Sequence, residues 1–154
     1  MKKGFTLIEL LVVISIIAIL AGFGTARYLT AERQTRDTQR KSDLNQYRLA
    51  LENYASANGT LYPPVCGNVS SLCNYSLPSI FKNTYLANAC LQDPRLTTNG
   101  DYYYCSNSYQ YALWAKLETG TNDYYIVCSN GRSGKKTYSA GQTPDISGGA
   151  CPLQ

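Results

Sequence analysis

The sequence predicts an α+β protein in which a long N-terminal α-helix, its first half suited to a membrane, packs along its second half against a small antiparallel β-sheet head. Three observations carry this reading. An apolar run from Phe5 to Ala26 holds Glu9 as its one charge. From Tyr28 to Asn58 there is neither Gly nor Pro, and charged residues give way to an apolar stripe. Residues 59–154 alternate tyrosine-rich runs with polar turns and contain all six cysteines.

At 154 residues the chain holds one ordinary domain plus one dedicated segment. The charge balance is mild, 14 Lys and Arg against 10 Asp and Glu with no His, and Lys2 and Lys3 belong to the first three positions. That balance makes no case for nucleic acid on charge alone. Cys66, Cys73, Cys90, Cys105, Cys128 and Cys151 lie in a region rich in Tyr, Asn, Ser and Gly. An even count in such surroundings reads as disulfides formed in an oxidising compartment.

The first element is the apolar run. About 20 residues span a bilayer as a helix, so Phe5 to Ala26 is long enough. Lysines on its short side predict that this end stays cytoplasmic and that the rest is exported. A secretory signal peptide is the bland alternative, and Ala21 to Ala26 imitates its cleavage site. Against it stand the start of the apolar run immediately after Gly4 and the carboxylate of Glu9 inside it.

The stretch Lys3-Gly4-Phe5-Thr6-Leu7-Ile8-Glu9-Leu10, followed by Leu11-Val12-Val13-Ile14, resembles the N-terminus of type IV pilins and of the pseudopilins of type II secretion. The resemblance implies a pilin-like fold and a leader peptide of residues 1–4. A prepilin peptidase would cut between Gly4 and Phe5, and Phe5 would be methylated. It also implies that Glu9 pairs with the Phe5 amine of a neighbouring subunit and sets the register of a filament. An ionised side chain in hydrocarbon costs at least about 2.5–3.5 kcal/mol, so it is kept for a partner or a task. The simpler task is to cap its own helix, whose N-terminus carries about half a positive charge.

Residues 5–27 are thus expected as the transmembrane and assembly helix and residues 28–58 as its amphipathic stem. Glu32 with Arg36, Asp37 with Lys41, and Arg48 with Glu52 stand four apart and suit a solvated helix. Leu44, Tyr47, Leu51 and Tyr54 then form an apolar stripe flanked by Ala50 and Ala55. Asn58-Gly59, with Pro63 and Pro64 behind, predicts the stop. A rod of some 50 residues would be about 80 Å long. Gly22 and Gly24 are its weak point, and the Pro that many pilins carry in this part of the helix is absent.

Residues 59–154 are expected as a globular head. Asp101 to Cys105 reads as a strand, and Tyr109 to Leu117 as a second with Tyr109, Tyr111, Leu113, Ala115 and Leu117 on one face. Thr119 to Asn122 makes the turn, Asp123 to Ser129 returns, and Ser133 to Tyr138 adds a short edge. Tyr62-Pro63, Asp93-Pro94 and the tyrosine-rich first strand are similar to those of major pseudopilins and of many small bacterial pilins. The interval from Cys128 to Cys151 resembles the disulfide-bounded C-terminal loop of that family. Six cysteines allow 15 connectivities. The pairing expected is Cys66 with Cys73, Cys90 with Cys105, and Cys128 with Cys151.

Catalysis finds little support: there is no His, no nucleophile motif and no metal-ligand spacing, so no enzyme, cofactor or metal site is expected. Lys135-Lys136 beside Arg132 reads as a solvated loop, and Asp145 lacks the companion carboxylates a calcium loop needs. Most of the 14 tyrosines are expected as strand and interface residues. The implied function is a structural subunit of a type IV pilus-like filament, with a type II secretion pseudopilin or a minor pilin as the alternative. Implied partners are other copies of the chain, the prepilin peptidase, an assembly platform protein, an assembly ATPase and, for the precursor, the cytoplasmic membrane. Adhesion, motility and DNA uptake all remain open as tasks, and with them nucleic acid as a partner.

Overall fold

A computed structural model describes residues 4–75, 81–95, 102–145 and 149–153, the side chains of 23–26 excepted. Helix α1 (Leu7–Ala57) begins at an N-cap, Thr6, and runs through Gly22 and Gly24 as one element of 51 residues, about 77 Å long. It stops where expected. Asn58 is the C-cap, Gly59 and Thr60 turn to φ values of 65° and 64°, and the Thr60 amide bonds back to the Ala55 carbonyl at 2.8 Å.

The head follows as β1 (Cys66–Asn68), α2 (Val69–Cys73), α3 (Phe81–Tyr85), β2 (Tyr103–Ser106), β3 (Tyr111–Lys116), β4 (Asp123–Cys128) and β5 (Ser133–Thr137). The strands form one antiparallel sheet in the order β1-β2-β3-β4-β5. The expected Asp101 lies outside the described residues. Tyr109 does not join the strand face and is 80% exposed. The Asn107 carboxamide accepts the Tyr109 and Gln110 amides at 3.1 and 3.0 Å, and this turn delays the strand to Tyr111.

The two faces of the sheet have different covers. Tyr104, Tyr111, Leu113, Ala115 and Val127 pack on Leu44, Tyr47, Leu51 and Tyr54 of α1, so the apolar stripe meets the hairpin face expected to cover it. On the other face Ala112, Tyr124, Ile126 and Cys128 meet Tyr138, Cys151 and Leu153, so the chain's own C-terminal segment is the lid. Arg132 and Lys136 donate to the Leu153 and Pro152 carbonyls at 3.2 and 2.6 Å, so the basic cluster, exposed as expected, also holds the lid.

Two expected cysteine pairs are corrected. Cys66 joins Cys105, Cys73 joins Cys90, and only Cys128 with Cys151 pairs as expected. The reason is β1, a strand too short and Gly-containing to show a period. It sets Cys66 directly across from Cys105, with Cα atoms 4.0 Å apart, while α2 carries Cys73 into the core.

Gly149 seats the lid. Its φ is +74°, and an added Cβ would enter the Gln110 carbonyl and lie 3.1 Å from the Ser106 Cα. Gly149→Ala is therefore expected to destabilise the head by roughly 1–3 kcal/mol. Urea unfolding of the full chain in detergent, followed by Trp114 fluorescence, measures it; an unchanged midpoint would refute the close approach.

Candidate assembly site

The residues singled out at the N-terminus sit at the open end of α1. Gly4, Phe5 and Thr6 precede the helix, and Phe5 is 83% exposed. Thr6 and Glu9 form a reciprocal capping box: the Thr6 amide and hydroxyl donate to Glu9 Oε2 at 2.8 and 2.7 Å, and the Glu9 amide donates to Thr6 Oγ1 at 3.3 Å. The simpler task for Glu9 is thus performed within its own chain. From Leu7 onward the first half of α1 is long and apolar enough to cross a membrane, and its described side chains are exposed. Leu7, Ile8, Leu10 and Leu20 are each more than half exposed.

The middle of α1 is fixed to the head by a cluster of ions where a solvated stem was expected. Arg40 is wholly buried. Its Nε and Nη2 grip Asp93 as a fork at 2.6 and 2.8 Å, Nη1 reaches Asp37 at 2.7 Å, and Nη2 also reaches Glu118 at 2.6 Å. Arg36 holds Glu118 with two bonds of 2.8 and 2.6 Å and keeps the expected pair with Glu32 at 2.6 Å. Asp37 turns from Lys41 to the β3–β4 turn, accepting the Glu118 and Thr119 amides at 2.9 and 3.0 Å and the Thr119 hydroxyl at 2.6 Å. Lys41 lies over the Tyr125 ring instead. Glu52 likewise takes the hydroxyls of Tyr62 and Tyr111 in place of Arg48. One turn further on, Tyr102 donates to buried Asp43 at 2.6 Å.

These are the residues that reading the stem as solvated missed. The signal was present: Asp37 and Arg40 continue the 44, 47, 51, 54 stripe backwards at the same three-four spacing. A helix face that is buried below must be followed upward even where its residues become charged.

Environment sets the carboxyls apart. Hydrogen bonds from Arg36, then Arg40 and Arg95, outweigh burial and hold Glu118 down to about 2. Burial raises the Asp37 carboxyl, but Thr119, the two amides and Arg40 outweigh it, and the net shift is downward. Asp43 is raised, chiefly by burial and further by Asp93, against the pull of the Tyr102 hydroxyl. Because the Glu118 pKa is depressed on folding, its stabilisation is complete above about pH 4.5 and is lost as pH falls through about 2. Asp43 has the opposite sign, its stabilising share falling as pH rises through its folded pKa. Glu118→Gln is expected to be less stable than wild type at neutral pH, with the gap closing on acidification between those limits. Thermal melts of the full chain across that range measure it; a constant gap would contradict the assignment.

The prokaryotic N-terminal methylation motif matches residues 1–25. Over 90 residues the chain is 34% identical to the major component PilA4 of the type IV wide pilus of Thermus thermophilus, covering 54% of this chain and 69% of the relative. The chain belongs to the type IV pilin family. It is also 43% identical over 60 residues to the prepilin peptidase-dependent protein D of Escherichia coli, covering 39% of this pilin and 41% of that protein. No solved structure matches it. The long helix carrying a five-stranded antiparallel sheet is the pilin-like architecture the sequence predicted.

Proposed function

We propose that this pilin is a structural subunit of a type IV pilus-like filament. The observation that carries the reading is the bare apolar half of α1, a rod that none of the described residues covers and that neighbouring copies would bury. Before assembly the same half, residues 5–27, spans the cytoplasmic membrane as the anchor of a precursor, and residues 59–154 lie outside as the head. Prepilin peptidase cuts between Gly4 and Phe5. Those residues are exposed and lie outside the helix, which suits a protease that needs its substrate unwound. Phe5 then carries the methylated amine, and Glu9 exchanges its cap on Thr6 for the amine of a neighbour. A platform protein and a cytoplasmic ATPase drive extraction from the membrane.

Electron microscopy of filaments sheared from cells, with N-terminal mass spectrometry of their subunits, tests this. The expected result is surface filaments built of chains that begin at methylated Phe5. A Phe5 terminus without surface filaments would transfer the chain to the pseudopilins or minor pilins, and an uncut Met1 terminus would overturn both readings.

A further inference from the structure

Below the ion cluster, where the stem enters the head, lies a belt of cations that the cluster does not use. Arg36, Arg40 and Arg95 are engaged with carboxylates, whereas Arg27 and Arg33 on α1 and Lys116 at the end of β3 make no ion pair among the described residues. Two adjoining recesses open between them. One of about 510 Å³ lies between α1 and the Pro94 loop and is lined by Arg33, Arg36 and Arg95; the other, of about 290 Å³, lies under the β3–β4 turn and is lined by Arg33, Arg95 and Lys116. Glu32 and Glu118 also line them, but each is already held by Arg36.

The depth of this belt identifies its ligand. Twenty residues from Leu7 to Ala26 rise about 30 Å, the thickness of the hydrocarbon. Arg27 then leaves the bilayer beside Tyr28, which is 68% exposed at the level where aromatic belts form. Arg33 stands about 10 Å higher, at the outer edge of a headgroup layer about 5–8 Å deep, which its long side chain reaches back into. Lysine and arginine are depleted on the exported flank of a span, so uncompensated cations there need a reason. On the described stem and head of a second copy Asp37, Asp43, Asp93 and Asp123 are buried and Glu118 is nearly so, which leaves Glu32, Glu52 and Asp145 exposed, and Glu32 is already paired with Arg36. Arginine forks are suited to phosphate.

We propose that in the membrane-inserted precursor the belt of Arg33 and Lys116 binds the phosphates of anionic phospholipid headgroups and seats the head on the bilayer. This rests on the membrane-spanning reading of residues 5–27. The seat is a contact that extraction into a filament must break, so lipid charge would tune how readily the precursor is withdrawn.

The test is spin-label electron paramagnetic resonance of the full chain in phosphatidylcholine bilayers, doped with chain-labelled phosphatidylglycerol or chain-labelled phosphatidylcholine. The wild type is expected to restrict phosphatidylglycerol about fivefold or more in preference to phosphatidylcholine, since each cation at an anionic surface is worth about that factor. The double variant Arg33→Ala with Lys116→Ala is expected to lose the preference while restricting as much phosphatidylcholine. Arg33→Glu, at an exposed helix position, should weaken the preference without touching the core. Restriction of neither lipid would overturn the membrane-spanning reading itself. Restriction without preference, or a preference that survives both variants, would overturn the belt alone. Loss of the preference to inorganic phosphate at constant ionic strength would assign the belt to free phosphate. Variants that keep the preference but fail to form filaments would assign it to contacts between copies, against the proposal.

Discussion

Arg40→Ala is expected to remove roughly 3–5 kcal/mol of stability, the range found when one partner of a buried ion pair is deleted. A total of about 5–15 kcal/mol is usual for a domain, so the variant head stands near the edge of folding. Arg40 is wholly buried and neutralises parts of three carboxylates, Asp37, Asp93 and Glu118. Without it Asp93 keeps, among the described residues, the Arg95 amide at 2.7 Å, and its charge is stranded in a buried site. Arg40→Lys retains the charge but cannot reproduce the fork on Asp93, so it should fall between Ala and wild type. Urea unfolding of the full chain in detergent measures both. A loss under about 1 kcal/mol for Arg40→Ala would mean the cluster behaves as an exposed pair does, contrary to its burial.

Glu9→Ala is expected to abolish filaments while leaving the head folded, because among the described residues the Glu9 side chain bonds to Thr6, far along α1 from the sheet. The informative companion is Glu9→Gln. Glutamine serves in a capping box, so if Glu9 were retained only to cap its helix, worth about 0.5–2 kcal/mol, Gln would restore assembly. If the ionised group pairs with a neighbour's amine, Gln should fail as Ala does. A charge kept in hydrocarbon against at least about 2.5 kcal/mol implies a loss on the order of a hundredfold in filament yield. Quantitative microscopy of sheared filaments, with near-ultraviolet circular dichroism as the check on folding, separates the outcomes. Normal filaments from both variants would end the register role.

Much of this architecture was legible because it rests on local chemistry. The stop at Asn58-Gly59, the stripe of Leu44, Tyr47, Leu51 and Tyr54, and strands β2 to β5 each follow from a period or a turn that neighbouring residues set. What escaped depends on partners distant in sequence. β1 exists because β2 pairs with it. Cys66 is closer in sequence to Cys73 than to Cys105, yet the strand pairing overrides that proximity. Arg40 reads as a solvated helix residue until Asp93 and Glu118, 53 and 78 residues away, are brought over it. At the N-terminus the motif marked Glu9, but its bond to Thr6 is a matter of side-chain geometry that spacing alone leaves open between cap and partner.

A filament is pulled as well as built, and the crosslinks decide how this subunit would yield. Tension along α1 reaches the head first at Arg36 and Arg40, at its lower rim. Should those bonds give way, only the segments outside the crosslinked loops, chiefly 58–65 and 106–127, can extend. Cys66–Cys105 closes a loop with a sequence separation of 39 that contains Cys73–Cys90, and Cys128–Cys151 closes another of 23. At about 3.4 Å per extended residue, some 200 Å of potential stretch is locked out. A ruptured head would lengthen briefly and then stop, as a rope does whose strands are stitched at intervals.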